Sequence, residues 1–279
     1  MKGIAPAANL ELLKRAILAA RACLMLLNKV AGQSLANRVQ ATGREKGLGV
    51  CGRFTLTSSS EALEADFEVS QVELFKPRFN IAPSQEIVVV REDESGAREC
   101  VALRWGMIPA WTKDPKKSHA PINARSETAA SKPTFRQAMS RRRCLVPASG
   151  FYEWRGKGGE KQAYYFYMQK QALFAIAGLF EVWRGEGGEI IESVALLTSD
   201  ANPVVSPVHA RMPVILAKSN YQRWLDRENL DSESVSDLMS PCPVDWFTSI
   251  PVSSRVNSPS FDEPACIEAV ATQSVLALG

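Results

Sequence analysis

Between residues 86 and 216 the chain is cut into short runs of β-branched and aromatic residues, and this punctuation limits what it can fold into. The runs cover residues 86–90, 100–103, 144–146, 163–168, 173–179, 193–198 and 213–216, bounded by Gly, Pro, Ser or Asp. Apolar runs of this length between turn residues read as strands rather than helices. The glycine-rich stretch 185–188 reads as a hairpin tip. Helical signals are sparser. Ser58 with Glu61 three residues later forms a capping box that opens a short helix through Phe67, and helices return over 220–226 and 232–239. Strands joined by short turns, with a few peripheral helices, indicate an α+β domain built on antiparallel sheet.

Hydrophobic residues make up 46% of the 279, enough to bury a sizeable core. No run of eighteen uncharged apolar residues is present, which argues against a transmembrane helix and a membrane partner. Six cysteines stand far apart with no CxxC pair. That pattern speaks against a structural zinc site or a disulfide scaffold and fits a reducing cytoplasm. Phosphate-binding and dinucleotide-binding glycine motifs are missing too, so no metal and no cofactor is expected.

Charge is unevenly divided. Residues 1–50 hold eight basic and two acidic side chains, and the remainder holds 25 basic against 28 acidic, a net −3. A nucleic-acid site in the remainder must therefore be a local patch. Residues 10–30 read as an amphipathic helix with Asn9 as its cap, and 31–50 resemble a linker. Initiation at Val50 is the simplest account of this stretch, which leaves 1–50 as an extension, 51–270 as the domain and 271–279 as a tail.

Several polar residues sit in tightly turned or aromatic surroundings. Cys51 precedes Gly52, Arg53 and Phe54; by composition alone it reads as a small core residue. Asn123, in Ile122-Asn123-Ala124-Arg125, is either a helix-terminus residue or an amide held beside a basic side chain. Glu153, between Tyr152 and Trp154, is either an exposed strand glutamate or a buried carboxyl with a raised pKa. Of the two histidines, His119 lies in a lysine-rich loop, whereas His209 is pinned between Pro207 and Pro213 and is the better acid–base candidate. Trp105 and Trp111 flank Gly106 and Pro109 as core packing or as a platform for bases. The run Arg141-Arg142-Arg143 reads as solvated surface.

Taken in order, these segments resemble the SRAP family of abasic-site sensors. The matching stretches are Cys51 to Phe54, Arg78-Phe79-Asn80-Ile81-Ala82-Pro83, Arg104-Trp105-Gly106 through Trp111, Ile122 to Arg125, Arg143 to Trp154, Phe174 to Phe180 and His209 to Leu216. The resemblance implies a barrel-like antiparallel core with a groove leading to a cysteine. It places the active-site residues at Cys51, Asn123, Glu153 and His209. DNA contacts would fall on Arg53, Arg125, Trp111 and Arg211, and also on Asn80, Pro83 and Trp105. The partner implied is single-stranded DNA containing abasic sites, bound by a monomer that is cytoplasmic, or nucleoid-associated in a bacterium.

The chemistry implied is covalent. A free α-amine attacks the open-chain aldehyde of an abasic sugar, and the thiol of the same cysteine closes a thiazolidine. An internal cysteine has only an amide nitrogen, so Cys51 must become terminal, by initiation at Val50 or by self-cleavage of the Val50–Cys51 bond. Lyase activity would follow if the imine eliminated before the ring closed. Two alternatives stand beside this reading: a cysteine peptidase acting in trans through Cys51, His209 and Asn123, and a non-covalent single-strand binder in which Cys51 is ordinary core.

Overall fold

The computed structural model describes residues 51–270, apart from 71, 73–75 and 157–160. The expected helix over 10–30, the linker after it and the tail at 271–279 lie outside the described residues. All seven apolar runs become strands. They lie in β3 (Glu86–Glu92), β4 (Arg98–Trp105), β6 (Arg143–Ala148), β8 (Gln162–Met168), β9 (Phe174–Arg184), β10 (Ile190–Asp200) and the pair β11 (Arg211–Pro213) and β12 (Ile215–Leu216). Five more strands complete the sheets: β1 (Phe54–Leu56), β2 (Arg78–Ile81), β5 (Asn123–Arg125), β7 (Gly150–Arg155) and β13 (Phe247–Val252).

The larger sheet closes on itself. β10, β4, β3, β6 and β9 pair in that order, and β9 pairs again with β10. Closure leaves no open edge in that ring and gives its side chains one shared interior. Val89, Leu145, Ile176 and Leu196 are among the wholly buried residues of the core. The pairings are antiparallel except for β10 with β4 and β10 with β5, which are parallel. The expected α+β barrel-like core is present, with these two parallel contacts added to it. The tip at 185–188 joins β9 to β10, with Gly188 at φ 89.

The second sheet has the order β13-β8-β7-β1-β2, antiparallel throughout. A single residue, Ser149, separates β6 from β7, so the chain passes from barrel to second sheet almost without a break. Gly150 is needed there: a Cβ on it would stand 2.3 Å from the Tyr165 ring. β1 lies against β7 with Phe54 opposite Phe151, and the Tyr152 amide donates to the Arg53 carbonyl at 3.0 Å. This register carries the chain backward from β1 until residue 51 meets the segment of Glu153.

Among the described residues four short α-helices sit at the periphery: α1 (Ser60–Phe67), α2 (Ser126–Ala129), α3 (Arg136–Arg141) and α4 (Tyr221–Leu225). The cap of α1 is Ser59, which accepts from the Ala62 amide, rather than the expected Ser58. The two serines are adjacent hydroxyls, and a one-residue offset is ordinary at helix ends. The helix expected over 232–239 is a 3-10 helix, Glu233–Met239. After β13 the chain folds back over β2 through two 3-10 turns, Ser254–Asn257 and Pro264–Ile267. Asn80 fastens this strap. Its Nδ2 donates to the carbonyls of Val256, Ser258 and Phe261 at 2.8–3.1 Å, and its Oδ1 accepts from Arg53 Nη1 at 2.8 Å.

Candidate active site

The β1–β7 register produces one decisive contact. The backbone nitrogen of Cys51 donates to Glu153 Oε1 at 2.8 Å, across 102 residues of sequence. Both residues are buried, Cys51 at 0% and Glu153 at 3% exposed. Glu153 is therefore the buried carboxyl, and the exposed-strand alternative is corrected. β7 is covered by packed neighbours on both faces, so alternation does not turn any of Phe151, Tyr152 or Glu153 to solvent.

Burial pushes the Glu153 carboxyl up to about 8, against the opposing pull of the Cys51 and Trp154 amides. The Cys51 thiol is pushed well above its ordinary value, first by burial and then by the neighbouring Glu153. Near neutrality the site thus holds a carboxyl able to give or take a proton at the Cys51 nitrogen, beside a thiol that stays protonated. Cys51 also has φ 47, in the left-handed region, which costs a non-glycine residue about 1–2 kcal/mol.

A second group gathers at the end of β10. There Asn123 lies opposite Leu196, Arg125 opposite Thr198, and Arg211 opposite Asp200. Arg211 is bound bidentately by Glu127 of α2 at 2.5 and 3.0 Å and by Asp200 at 2.7 Å, and its Nη2 donates to the Thr198 carbonyl at 2.6 Å. His209 Nδ1 accepts from the Arg211 amide at 3.0 Å. The same nitrogen lies 3.2 Å from the Arg211 carbonyl oxygen, to which it donates when the ring proton sits on Nδ1. The loop that presents His209 is organised by buried Asn202, whose Oδ1 accepts from the amides of Val204 and Val205. The Asn202-Pro203 pair is a turn signal that would have found this residue.

Packing links the two groups. The Phe54 ring meets Trp105 edge-on at 5.3 Å, and Trp105 Nε1 donates to the carbonyl of Ile122, the residue before Asn123. Trp105 and Asn80 are both wholly buried. Pro83 is half-buried beside Ser84 (φ 72). Arg53 is half-buried and donates to Asn80 Oδ1 and to the carbonyls of Val256 and Asn257. Arg125 and Trp111 are exposed, Trp111 by 58%. The arginine triplet splits three ways. Arg141 is exposed, Arg142 pairs with Glu181, and Arg143 is buried, with five bonds to backbone carbonyls.

Residues 50–259 match the family model described as SOS response associated peptidase (SRAP). The chain belongs to the SRAP family. Among SRAP relatives, the abasic site processing protein YoqW of Bacillus subtilis is 38% identical over 223 residues, covering 78% of this chain and 99% of YoqW. The abasic site processing protein HMCES of Xenopus tropicalis is 30% identical, covering 70% of this chain and 67% of that protein. A crystal structure of a protein from Bacteroides thetaiotaomicron shares the fold at a TM-score of 0.70 and 22% identity, covering 79% of this chain and all of that one. Among the described residues no group of three or more His, Cys, Asp and Glu could hold a metal ion, and no helix is long and apolar enough to cross a membrane.

Proposed function

We propose that this protein captures abasic sites in single-stranded DNA covalently, through the amine and thiol of Cys51 after the residues before it are removed. One observation carries the reading: the buried carboxyl of Glu153 addresses the nitrogen of Cys51, not its sulfur. In a chain beginning at Cys51 that nitrogen is a primary amine. Free amine attacks C1′ of the aldehyde, and the carbinolamine loses water to give an imine. The thiol then adds to the imine carbon, and its proton passes to nitrogen as the five-membered ring closes. Glu153, protonated near neutrality, gives its proton to the departing hydroxyl and takes back the proton that the nitrogen then releases. His209 protonates the sugar ring oxygen and opens the ring. Asn123 orients the amine. Holding these groups in place makes the condensation effectively intramolecular.

Removal of residues 1–50 is also assigned to Cys51. Its thiol attacks the Val50 carbonyl, the Cys51 amine leaves, and water hydrolyses the resulting thioester. The left-handed backbone at Cys51 favours this step, since strain is released when the bond breaks. Lyase activity follows where the imine eliminates before the thiol closes the ring. DNA is held by Arg125 and Trp111 at the surface. Arg53, anchored on neutral oxygens, contributes positive potential, whereas the charge of Arg211 is offset by Glu127 and Asp200. A peptidase acting in trans would pair the Cys51 thiol with an imidazole, whereas Cys51 is partnered at its nitrogen by the Glu153 carboxyl.

The test is a denaturing gel of single-stranded DNA bearing one abasic site, mixed with the full chain or with a chain beginning at Cys51. A heat- and detergent-resistant band is expected from the chain beginning at Cys51, with none from its Cys51→Ala form. A resistant band from full-length protein whose mass still includes residues 1–50 would sink the amine mechanism.

A further inference from the structure

Exposed apolar side chains are few on the described surface, and two of the largest share one trough. Trp111, 58% exposed, and Leu230, 44% exposed, line a shallow depression together with Arg136, Gln137, Ser140 and Arg141 of α3. The Ser140 hydroxyl donates to the Leu230 carbonyl at 2.6 Å and ties the Leu230 loop to α3. The Trp111 loop is tied to the barrel, since Trp183 Nε1 of β9 donates to the Thr112 carbonyl at 2.6 Å. Both walls are thus fixed to the core.

The charge of the trough is one-sided. No carboxylate lines it, although the surrounding domain has more acidic than basic residues. Neither Arg136 nor Arg141 forms an ion pair among the described residues, whereas Arg78, Arg91, Arg98, Arg142, Arg211 and Arg223 all do. Free guanidinium groups beside an open indole suit a partner with regularly spaced anions and flat rings. Residues 1–50 are a poor occupant, because their eight basic groups outnumber two acidic ones.

From this we infer that the Trp111–Arg136–Arg141 trough extends the single-stranded DNA contact assigned to Trp111, carrying the strand along α3 beyond the captured nucleotide. Trp111 stacks a base, while Arg136 and Arg141 each neutralise a phosphate. The inference rests on the proposed reading of the protein as a single-strand DNA binder and adds the path of the strand. Its contribution is to affinity and not to the chemistry at Cys51.

The experiment is fluorescence anisotropy of the full chain with a labelled single-stranded oligonucleotide lacking any abasic site, across a salt series. Removing both arginines (Arg136→Gln with Arg141→Gln) should weaken binding at low salt. It should also lower the slope of log affinity against log salt by about 1.4, at roughly 0.7 per phosphate contact on single strands. Trp111→Ala should weaken binding by about 5- to 150-fold, the span of a ~1–3 kcal/mol stacking contact. Arg184→Gln, an exposed arginine at the end of β9, should leave the slope unchanged and so exclude a bulk charge effect. With saturating lesion-bearing DNA, adduct yield in the Arg136→Gln with Arg141→Gln variant should equal wild type. Wild-type affinity and slope in the double variant would overturn the inference. So would unchanged DNA binding combined with loss of binding to a polyglutamate peptide, which would assign the trough to a protein. A protein that forms no adduct yet loses affinity in these variants would defeat the covalent reading and leave the trough standing.

Discussion

The role proposed for Glu153 depends on its pKa. A carboxyl at its usual value would be ionised at neutral pH and could not return a proton to a leaving hydroxyl. Burial raises it to about 8, close to an α-amine's reference value of ~8. In a chain beginning at Cys51 the two groups would titrate as a pair. Capture should then rise with pH as the amine is freed and fall again as the carboxyl loses the proton it donates. Glu153→Gln keeps an oxygen acceptor for the Cys51 nitrogen but cannot exchange protons. It should slow adduct formation by about a hundredfold, within the usual range for general acid–base catalysis, and flatten the alkaline limb of the pH profile. Stopped-time gels across pH 5–9 measure both, and an unchanged profile in the variant would remove Glu153 from the chemistry.

At the scale of elements, legibility followed locality. The barrel strands were readable because their apolar runs are continuous and bounded by turn residues. β2, β5 and β13 were not, since Arg78, Asn80, Asn123, Arg125 and Pro251 break the pattern, and their partners lie far along the chain. β13 tolerates Pro251 because it is an edge strand of its sheet. The site was half visible in the same sense. The family resemblance proposed Cys51, Asn123, Glu153 and His209 as candidates, but whether Glu153 is buried depends on β1 meeting β7, and nothing near residue 257 announces the strap. That strap gives a prediction of its own. Asn80→Ala would remove four hydrogen bonds, three to strap carbonyls and one from Arg53, and should cost roughly 2–4 kcal/mol, at about 0.5–1 kcal/mol for each bond because every one of these groups keeps a second partner. Urea denaturation would show this as a lower midpoint with an unchanged slope; a variant as stable as wild type would mean the strap is held by other contacts.

For the whole molecule, the same buried carboxyl links stability to pH. In the full chain, where the Cys51 nitrogen is an amide, Glu153 binds its proton up to about pH 8 when folded but only to about 4.5, the ordinary glutamate value, when unfolded. Between these values the folded state holds more protons, so stability falls as pH rises. The contribution is complete below pH 4.5 and gone above about 8. At about 1.36 kcal/mol per pKa unit, the span sets an upper limit of about 5 kcal/mol, and relaxation around the buried group will reduce it. Carboxylates that accept salt bridges pull the other way at the acid end: Glu127, held below its ordinary value by its bond to Arg211, loses its contribution as pH falls through that lowered value. Stability should therefore peak in the mildly acidic range and decline toward pH 8. Glu153→Gln should abolish most of that decline. In a chain beginning at Cys51, the adjacent ammonium should favour the carboxylate and shift the decline. Thermal denaturation of the three proteins between pH 5 and 9 separates these outcomes. Parallel curves for wild type and Glu153→Gln would mean that the carboxyl is ionised when folded, and the proton shuttle at the Cys51 nitrogen would lose its physical basis.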